Sequence, residues 1–410
     1  MKINLPNSVK KIIETLEKHG YEAYAVGGCV RDCLLGKEPK DWDITTSAKP
    51  EEVKALFRRT IDTGIQHGTV TIMMEHEGYE VTTYRIDGEY EDGRHPKEVI
   101  FTAHLVEDLK RRDFTINAMA YSDRTGVVDE FDGIGDLKRG VIRCVGVAEE
   151  RFTEDALRIL RAVRFSAQLG FSIEKSTMQA IVTLAPQLEK ISRERIQAEL
   201  DKLLMSSHPE CVLVLQKAEL LSVIFGEHGE KNNTLEENVT ALAEKLAGAE
   251  NDHYVRWALF ITYLPYEKIL RSLKFDNKTI RICEKIKMYK DAKLSSEKPY
   301  LRHLIVQIGK EIFGEYYIPY RRSLGNVSGE VINQIENTYN EIVESGDCLS
   351  LKELKVNGSD LVQCGILPGA QMGEILNHLF EMVLEDASLN DKKRLLSIVS
   401  EQFTDVKYFP

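Results

Sequence analysis

Residues 21–46 read YEAYAVGGCVRDCLLGKEPKDWDITT, and the order of elements they predict decides the fold of the first part of the chain. The apolar run Tyr21–Val26 predicts a short buried strand, and Cys29–Leu35 predicts a helix that Gly36 ends. A second strand is predicted at Asp41–Thr46. Strands that alternate with a short helix in this way predict a domain that mixes α and β structure.

Two carboxylates and a glycine pair give this stretch its chemical character. Side chains at i and i+2 of a strand point to the same face, so Asp41 and Asp43 are predicted to lie side by side, where their repulsion favours a divalent cation. Gly27 and Gly28 follow a strand and open a helix, where backbone N–H groups can receive phosphate oxygens. Each feature alone is common, as a solvated strand face or a turn. Together they are the equipment for nucleotidyl transfer.

The pattern continues as mixed structure to about residue 146 and then changes. Helices are predicted at Asn7–His19, from Pro50 to about Arg59 and at Leu105–Lys110, and strands at Thr69–Met74, Tyr79–Arg85, Val99–Thr102, Val127–Phe131 and Val141–Val145. Glu77 and Gly78 are predicted to turn the hairpin between the first two long strands. From Arg151 onward apolar residues recur every three or four positions, which predicts an almost entirely helical remainder.

The composition is that of an ordinary globular protein. The 410 residues are 43% hydrophobic and 29% charged, which excludes a mostly disordered or fibrous chain. Residues 1–11 contain no signal-peptide core and no apolar run approaches the length of a membrane span, so we expect a cytoplasmic protein. The seven cysteines are scattered without a CxxC pair, which argues against disulfides and structural zinc. With a net charge of −11, binding of nucleic acid would depend on local basic stripes.

Four further blocks follow residues 27–43 and carry a family resemblance. They are RRDFTINAMA at Arg111–Ala120, a glycine-rich segment at Asp132–Gly146, EDALRILRA at Glu154–Ala162 and ISRERI at Ile191–Ile196. In this order the five blocks resemble those of the class II tRNA nucleotidyltransferases, the bacterial-type CCA-adding enzymes of the polymerase-β nucleotidyltransferase superfamily. The resemblance is close through the fifth block and weaker toward the C-terminus.

The resemblance implies an α+β fold, in which a polymerase-β-like nucleotidyltransferase head with a small mixed sheet precedes an all-helical neck, body and tail. We expect the head at residues 1–146, a neck with the nucleobase-selecting helix at 147–205, a helical body at 206–298 and a tRNA-binding tail at 299–410. The implied reaction adds CCA to the 3′ end of tRNA from CTP and ATP, without a nucleic-acid template and with release of pyrophosphate. No membrane and no obligate protein partner is expected.

Catalytic and nucleotide-binding roles follow from the positions that match the family. The resemblance implies that Asp41 and Asp43 bind two Mg²⁺ ions, and Glu80 on the neighbouring hairpin strand is the candidate third carboxylate. Asp113 is expected to accept a hydrogen bond from a ribose hydroxyl. Binding of the nucleotide and its phosphates is assigned to Gly28, Arg31, Arg112, Asp113 and Asn117.

Nucleobase selection is assigned to Asp155 and Arg158, which are expected to share a helix face at i and i+3. A carboxylate accepts from an exocyclic amine and a guanidinium donates to a ring nitrogen or carbonyl, a pattern that suits cytosine and adenine. Outside this family such a pair is a routine helix ion pair. Arg161 and Arg164 continue a basic stripe from Arg158, with the alternative that some of these arginines pair with acidic neighbours.

A glycine-rich and charged excursion at Ile86–Lys97 resembles the flexible loop of CCA-adding members, with Asp87, Tyr90 and Arg94 as its assigned residues. The presence of this loop argues against an enzyme that adds only CC, since relatives of that kind lack it. An enzyme that adds only A is still possible. Poly(A) polymerases carry a basic stretch where Thr63–Val70 stands here, so tRNA is the favoured substrate. A non-catalytic RNA-binding relative is the alternative of another class, and the intact aspartate pair speaks against it.

Overall fold

The computed structural model describes residues 2–88, 99–226, 233–264 and 268–403. The chain divides into two compact units, one formed by residues 1–243 and 266–274 and the other by residues 244–265 and 275–410. Within the described segments, no helix combines the length and the apolar character that crossing a membrane requires.

A mixed sheet lies at the centre of the first unit. The described strands of this sheet are β1 Ala23–Val26, β2 Ile44–Thr46, β3 Thr60–Gly64, β4 Thr69–Met74, β5 Glu77–Thr83, β8 Met119–Ser122 and β9 Gly126–Asp129. Two further strands, β6 Arg85–Asp87 and β7 Val99–Phe101, form a separate pair. The order across the sheet is β3-β4-β5-β2-β1-β8-β9, and β6 pairs with β7. β2 and β5 run parallel, whereas the other neighbours are antiparallel. The predicted mixed sheet of the head is therefore confirmed.

Helices cover this sheet and continue beyond it. Those that begin before residue 227 are α1 Asn7–Lys18, α2 Gly28–Leu34, α3 Pro50–Leu56, α4 Leu105–Lys110, α5 Gly133–Arg139, α6 Ala148–Glu154, α7 Leu157–Leu169, α8 Lys175–Leu184, α9 Arg193–Leu204, α10 Val212–Lys217 and α11 Leu220–Phe225. Val9, Ile12 and Leu16 of α1 are fully buried at helical spacing and join Val53 of α3 and Ile44 of β2 in one core.

The remainder is helical, as predicted. Its helices are α12 Asn233–Gly248, α13 His253–Tyr263, α14 Ile269–Ser272, α15 Asn277–Met288, α16 Lys298–Ile308, α17 Lys310–Ile312, α18 Ile318–Leu324, α19 Gly329–Glu344, α20 Gly358–Gln363, α21 Ala370–Glu385 and α22 Lys392–Gln402. A π-helical turn at Phe313–Tyr317 joins α17 to α18. In the helical region after residue 150, the described β structure is Ser172–Ile173, which pairs with Val141–Ile142.

Two predictions about the sheet are wrong. β2 begins at Ile44 rather than at Asp41, because its partner β1 ends at Val26 and the chain then turns away into α2. The hairpin between β4 and β5 turns at residues 75 and 76, which have φ of 50° and 74°. Met74 pairs with Glu77, so the predicted turn residues already belong to β5. Two consecutive residues with positive φ match the twist that a two-residue hairpin loop requires.

The assigned loop residues fall at the edge of what the structure describes. Asp87 is the last residue of β6, and its backbone pairs with Val99 of β7. Tyr90 and Arg94 lie outside the described residues.

Candidate active site

Two of the predicted catalytic carboxylates lie next to each other, Asp43 just before β2 and Glu80 in the middle of β5. Ile44 of β2 and Val81 of β5 are register partners in a parallel pair. Asp43 and Glu80 immediately precede these two residues, so they lie side by side with their side chains on the same face of the sheet. Asp41, two residues before Asp43, supplies the third carboxylate.

The charges of these three groups influence one another. Although the side chains of Asp43 and Glu80 reach solvent, the protein around them raises the pKa of both. At Asp43 the effect of burial is opposed by the Arg112 guanidinium and reinforced by the negative charge of Asp41. At Glu80 burial is reinforced by the charges of Asp43 and Asp41. The site is therefore a concentration of negative charge between the start of β2 and the middle of β5.

This set of donors fits Mg²⁺ in its chemistry. Carboxylate oxygens are ligands that this ion prefers, and it commonly keeps several ligands from water or substrate. Among the described residues, no group of three or more His, Cys, Asp or Glu side chains is placed so that it could hold a metal ion. Burial raises the pKa of Asp43 and Glu80 most, neighbouring carboxylates add to it, and a divalent cation there would offset that negative charge.

A glycine turn with two arginines close to it follows β1. Gly27 has φ 82°, a conformation that favours glycine, and a Cβ on it would lie 3.0 Å from Nη1 of Arg112. A Cβ on Gly28 would lie 3.6 Å from Nη2 of Arg31. Nε of Arg112 is buried and has no hydrogen-bond partner among the described residues. Two guanidinium groups at a turn without side chains form a surface suited to an anion such as phosphate.

A chain of hydrogen bonds connects Arg31 to helix α7. Arg31 Nη1 donates to Asn117 Oδ1 at 2.7 Å, and Asn117 Nδ2 donates to Asp113 Oδ1 at 3.1 Å. Arg161 donates from Nε and Nη2 to Asp113 Oδ2, at 2.8 and 2.5 Å. Four residues assigned separately from sequence therefore act as one network.

Asp113 is buried, and protein donors occupy its carboxylate. Its Oδ1 also accepts from the N–H of Phe114 at 2.8 Å, so the donors number about as many as the four acceptor positions of a carboxylate. Burial alone would raise the pKa of Asp113, but the Arg161 charge and the Asn117 hydrogen bond lower it to about 2. Contact with a ribose hydroxyl stays a prediction, and the observed task of Asp113 is to hold Arg161.

The ring of Phe165 lies under three guanidinium groups. Cζ of Arg164, Arg31 and Arg161 lies 3.8, 5.1 and 5.4 Å from the ring centroid. Phe165 is buried, and an aromatic face attracts cations most strongly where water is excluded. The sequence pattern did not indicate a site role for Phe165, because a phenylalanine at helical spacing indicates only a core position.

Asp155 and Arg158 do not share a helix face, so that prediction is wrong. Asp155 lies between α6 and α7 with φ −144° and ψ 102°. Its carbonyl accepts from the N–H of Arg158 and its Oδ1 accepts from the N–H of Leu157, both at 3.0 Å. A side chain that caps the following helix competes with continuation of the preceding one, which explains the break.

Asp155 and Arg158, the two residues assigned to nucleobase selection, each have a partner of their own. Oδ2 of Asp155 accepts from Nη2 of Arg195 at 2.7 Å. Nη1 of Arg158 donates to Oε2 of Glu154 at 2.6 Å, and its Nη2 donates to the carbonyl of Arg111 at 3.2 Å. Arg195 and Glu154 were not assigned from sequence, although both belong to the blocks that carry the family resemblance.

The predicted basic stripe is neutralised along its length. Arg158 pairs with Glu154 and Arg161 with Asp113, while Arg164 pairs with Glu199 of α9. The alternative that these arginines pair with acidic neighbours is thus confirmed for all three.

The fold is that of a nucleotidyltransferase. A family model described as "Poly A polymerase head domain" matches residues 23–143, and one for an RNA and SrmB binding site of polymerase A matches residues 170–231. A third model, for tRNA nucleotidyltransferase domain 2, matches residues 250–399.

Relatives that match nearly the whole chain show which family of nucleotidyltransferases it belongs to. The CCA-adding enzyme of Ligilactobacillus salivarius is 41% identical, with 96% of each chain covered. That of Leuconostoc mesenteroides is 40% identical with the same coverage of 96%. The crystal structure of the Bacillus stearothermophilus CCA-adding enzyme in complex with CTP is 34% identical and has a TM-score of 0.82, with 95% of each chain covered. The chain belongs to the CCA-adding enzyme family.

Proposed function

We propose that this protein rebuilds the CCA sequence at the 3′ end of tRNA, with CTP and ATP as substrates. The observation that carries the proposal is the carboxylate group Asp41, Asp43 and Glu80, together with the adjacent glycine turn and its arginines. In each cycle the terminal 3′-oxygen of the tRNA attacks the α-phosphorus of the nucleotide. The bond to the β-phosphate oxygen breaks, and pyrophosphate leaves.

Asp41 and Asp43 are the residues that would hold magnesium, with Glu80 beside them. When bound, this metal supplies positive charge to the phosphate oxygens and lowers the pKa of the attacking hydroxyl. The protein's own groups bind and orient the triphosphate. Arg31 and Arg112 suit its oxygens, since Nε of Arg112 has a buried N–H to offer and Arg31 is held by Asn117 at 2.7 Å. Gly27 keeps this approach open because it has no side chain.

The base is selected by Asp155 and Arg158 in this proposal. Two donors reach the Asp155 carboxylate, so acceptor positions remain for an exocyclic amine of cytosine or adenine. Arg158 supplies the complementary donor. The tRNA is proposed to run along the helical neck, body and tail at residues 147–205, 206–298 and 299–410.

The first experiment uses three tRNA transcripts that end before CCA, after C and after CC. Each is incubated with Mg²⁺ and with single or mixed nucleotides, and the products are sized on a sequencing gel. Three additions to the first transcript, and no more, support the proposal. Growth of only the CC-ended transcript would indicate an enzyme that adds A alone, and an unlimited A ladder would indicate a poly(A) polymerase. Bound tRNA without product would indicate a non-catalytic relative.

A pair of variants tests the assignment of the metal-binding residues. Asp41→Ala and Asp43→Ala are each expected to abolish addition while tRNA binding is retained. Lys54→Ala, which removes an exposed ion pair with Asp62, is the matched control. Full activity in either aspartate variant would contradict the assignment.

A further inference from the structure

The carboxylate of Asp155 is oriented from two sides. Oδ1 accepts from the N–H of Leu157 at 3.0 Å, in the first turn of α7. Oδ2 accepts from Nη2 of Arg195 at 2.7 Å, in α9. The two side chains of this ion pair are 16% and 21% exposed, so the contact is largely shielded from water.

Two donors at different oxygens fix the plane of the carboxylate. The terminal torsion of an aspartate is otherwise broad, so one capping bond alone would leave Oδ2 free to rotate. Asp113 shows a contrasting case, since four protein donors already reach its carboxylate. Asp155 is held in one orientation and can still accept from a further donor.

An ion pair other than that of Arg195 already links α9 to α7. Arg164 of α7 already pairs with Glu199 of α9, and both residues are buried, with 6% and 5% of their surface exposed. The contact of Arg195 with Asp155 lies at the start of α7, where the chain has left helical geometry. For packing, the ion pair of Arg195 would be a redundant second link between these helices. The same ion pair, however, determines the direction of Oδ2 of Asp155.

We propose that Arg195 is a positioning residue for nucleobase selection. It holds the Asp155 carboxylate so that an acceptor faces the exocyclic amine of the incoming CTP or ATP. This inference rests on the proposed function. A carbonyl in place of that amine, as in UTP, meets a fixed acceptor and is rejected. Without Arg195, the carboxylate can turn away and the rejection weakens.

The test compares Arg195→Met and Arg195→Lys with Arg193→Met. Arg193 lies in the same helix and donates to the carbonyl of Ile224, so its loss removes the same charge without touching Asp155. We expect Arg195→Met to lower the ratio of kcat/KM for CTP over UTP by about 10- to 100-fold, the effect of one charge-assisted hydrogen bond. Arg195→Lys should restore part of that ratio, and Arg193→Met should leave it unchanged.

Two further readouts separate selection from folding. The first is the Tm and the second is the affinity for tRNA. If both arginines also support packing, Arg195→Met and Arg193→Met should change each of these quantities by similar amounts. Equal losses for CTP and UTP in Arg195→Met, or an unchanged ratio in both Arg195 variants, would overturn the inference. If Arg195→Met does not fold, the ratio in Arg195→Lys decides. Wild-type protein that fails to add CCA would instead contradict the proposed function.

Discussion

Asp43 and Glu80 lie side by side because the residues that follow them, Ile44 and Val81, are partners in two parallel strands. Folding therefore concentrates negative charge beside the start of β2, and burial and neighbouring carboxylates raise the pKa of both residues. Such a site opposes folding at neutral pH and favours binding of a cation.

Replacing both residues, in the variant Asp43→Asn with Glu80→Gln, should stabilise the metal-free protein. A pKa raised by folding means that protonation favours the folded state, so the wild type loses stability as the pH rises through the folded-state pKa values. In EDTA the variant should have the higher Tm near pH 7, and the difference should shrink toward about pH 4. Mg²⁺ should raise the Tm of the wild type more than that of the variant. An equal response to Mg²⁺ would contradict a metal role.

Asp113→Asn should destabilise the fold, because Arg161 would lose its counter-charge. Removing one member of a buried pair costs about 3–5 kcal/mol, and we expect about 2–3 kcal/mol because the Arg161 side chain is 35% exposed. The pKa of Asp113 is lowered to about 2, so its contribution is complete above about pH 4 and is lost as the pH falls toward 2. Urea unfolding at several pH values measures this loss.

The matched control for that experiment is Asp62→Asn. Asp62 pairs with Lys54 at 2.8 Å, but the two side chains are 48% and 37% exposed. Its loss should cost less than about 1 kcal/mol. A loss for Asp113→Asn that does not exceed this control near pH 7 would refute the structural role of Asp113.

Phe165→Leu should disturb nucleotide binding as well as stability. The substitution removes the aromatic face under Arg31, Arg161 and Arg164, and with it cation–π contacts of about 0.5–2 kcal/mol each. Phe152→Leu, in a fully buried helix position, is the control for lost volume. We expect a higher KM for CTP only in Phe165→Leu, by steady-state kinetics. A similar KM in both variants would show that Phe165 is only a core residue.

Local sequence patterns predicted the secondary-structure elements of the head. They could not predict contacts between residues that are far apart in the sequence. The strand, glycine turn and helix at residues 23–34 follow from nearest-neighbour chemistry, whereas Asp41 and Asp43 precede β2 instead of lying in it as predicted. The pairs Asp113–Arg161 and Asp155–Arg195 join residues 48 and 40 positions apart, so they depend on how α7 packs. The prediction that Asp155 and Arg158 share a helix face failed because the i,i+3 rule assumes an unbroken helix, and the chain leaves helical geometry at Asp155.

Gly27→Ala should impair nucleotide binding beyond the strain that any residue would introduce there. Gly27 has φ 82°, and an added Cβ would lie 3.0 Å from Nη1 of Arg112, so this guanidinium must shift by a few tenths of an ångström. Gly20→Ala is the matched control, because Gly20 has φ 89° but nothing within 4 Å of an added Cβ. Both variants should lose about 1–2 kcal/mol of stability from the left-handed conformation. Only Gly27→Ala should raise the KM for CTP and ATP, since the shifted Arg112 would meet the phosphates with poorer hydrogen-bond geometry. If both variants raise KM equally, or neither does, the approach of Arg112 to the glycine turn has no part in binding.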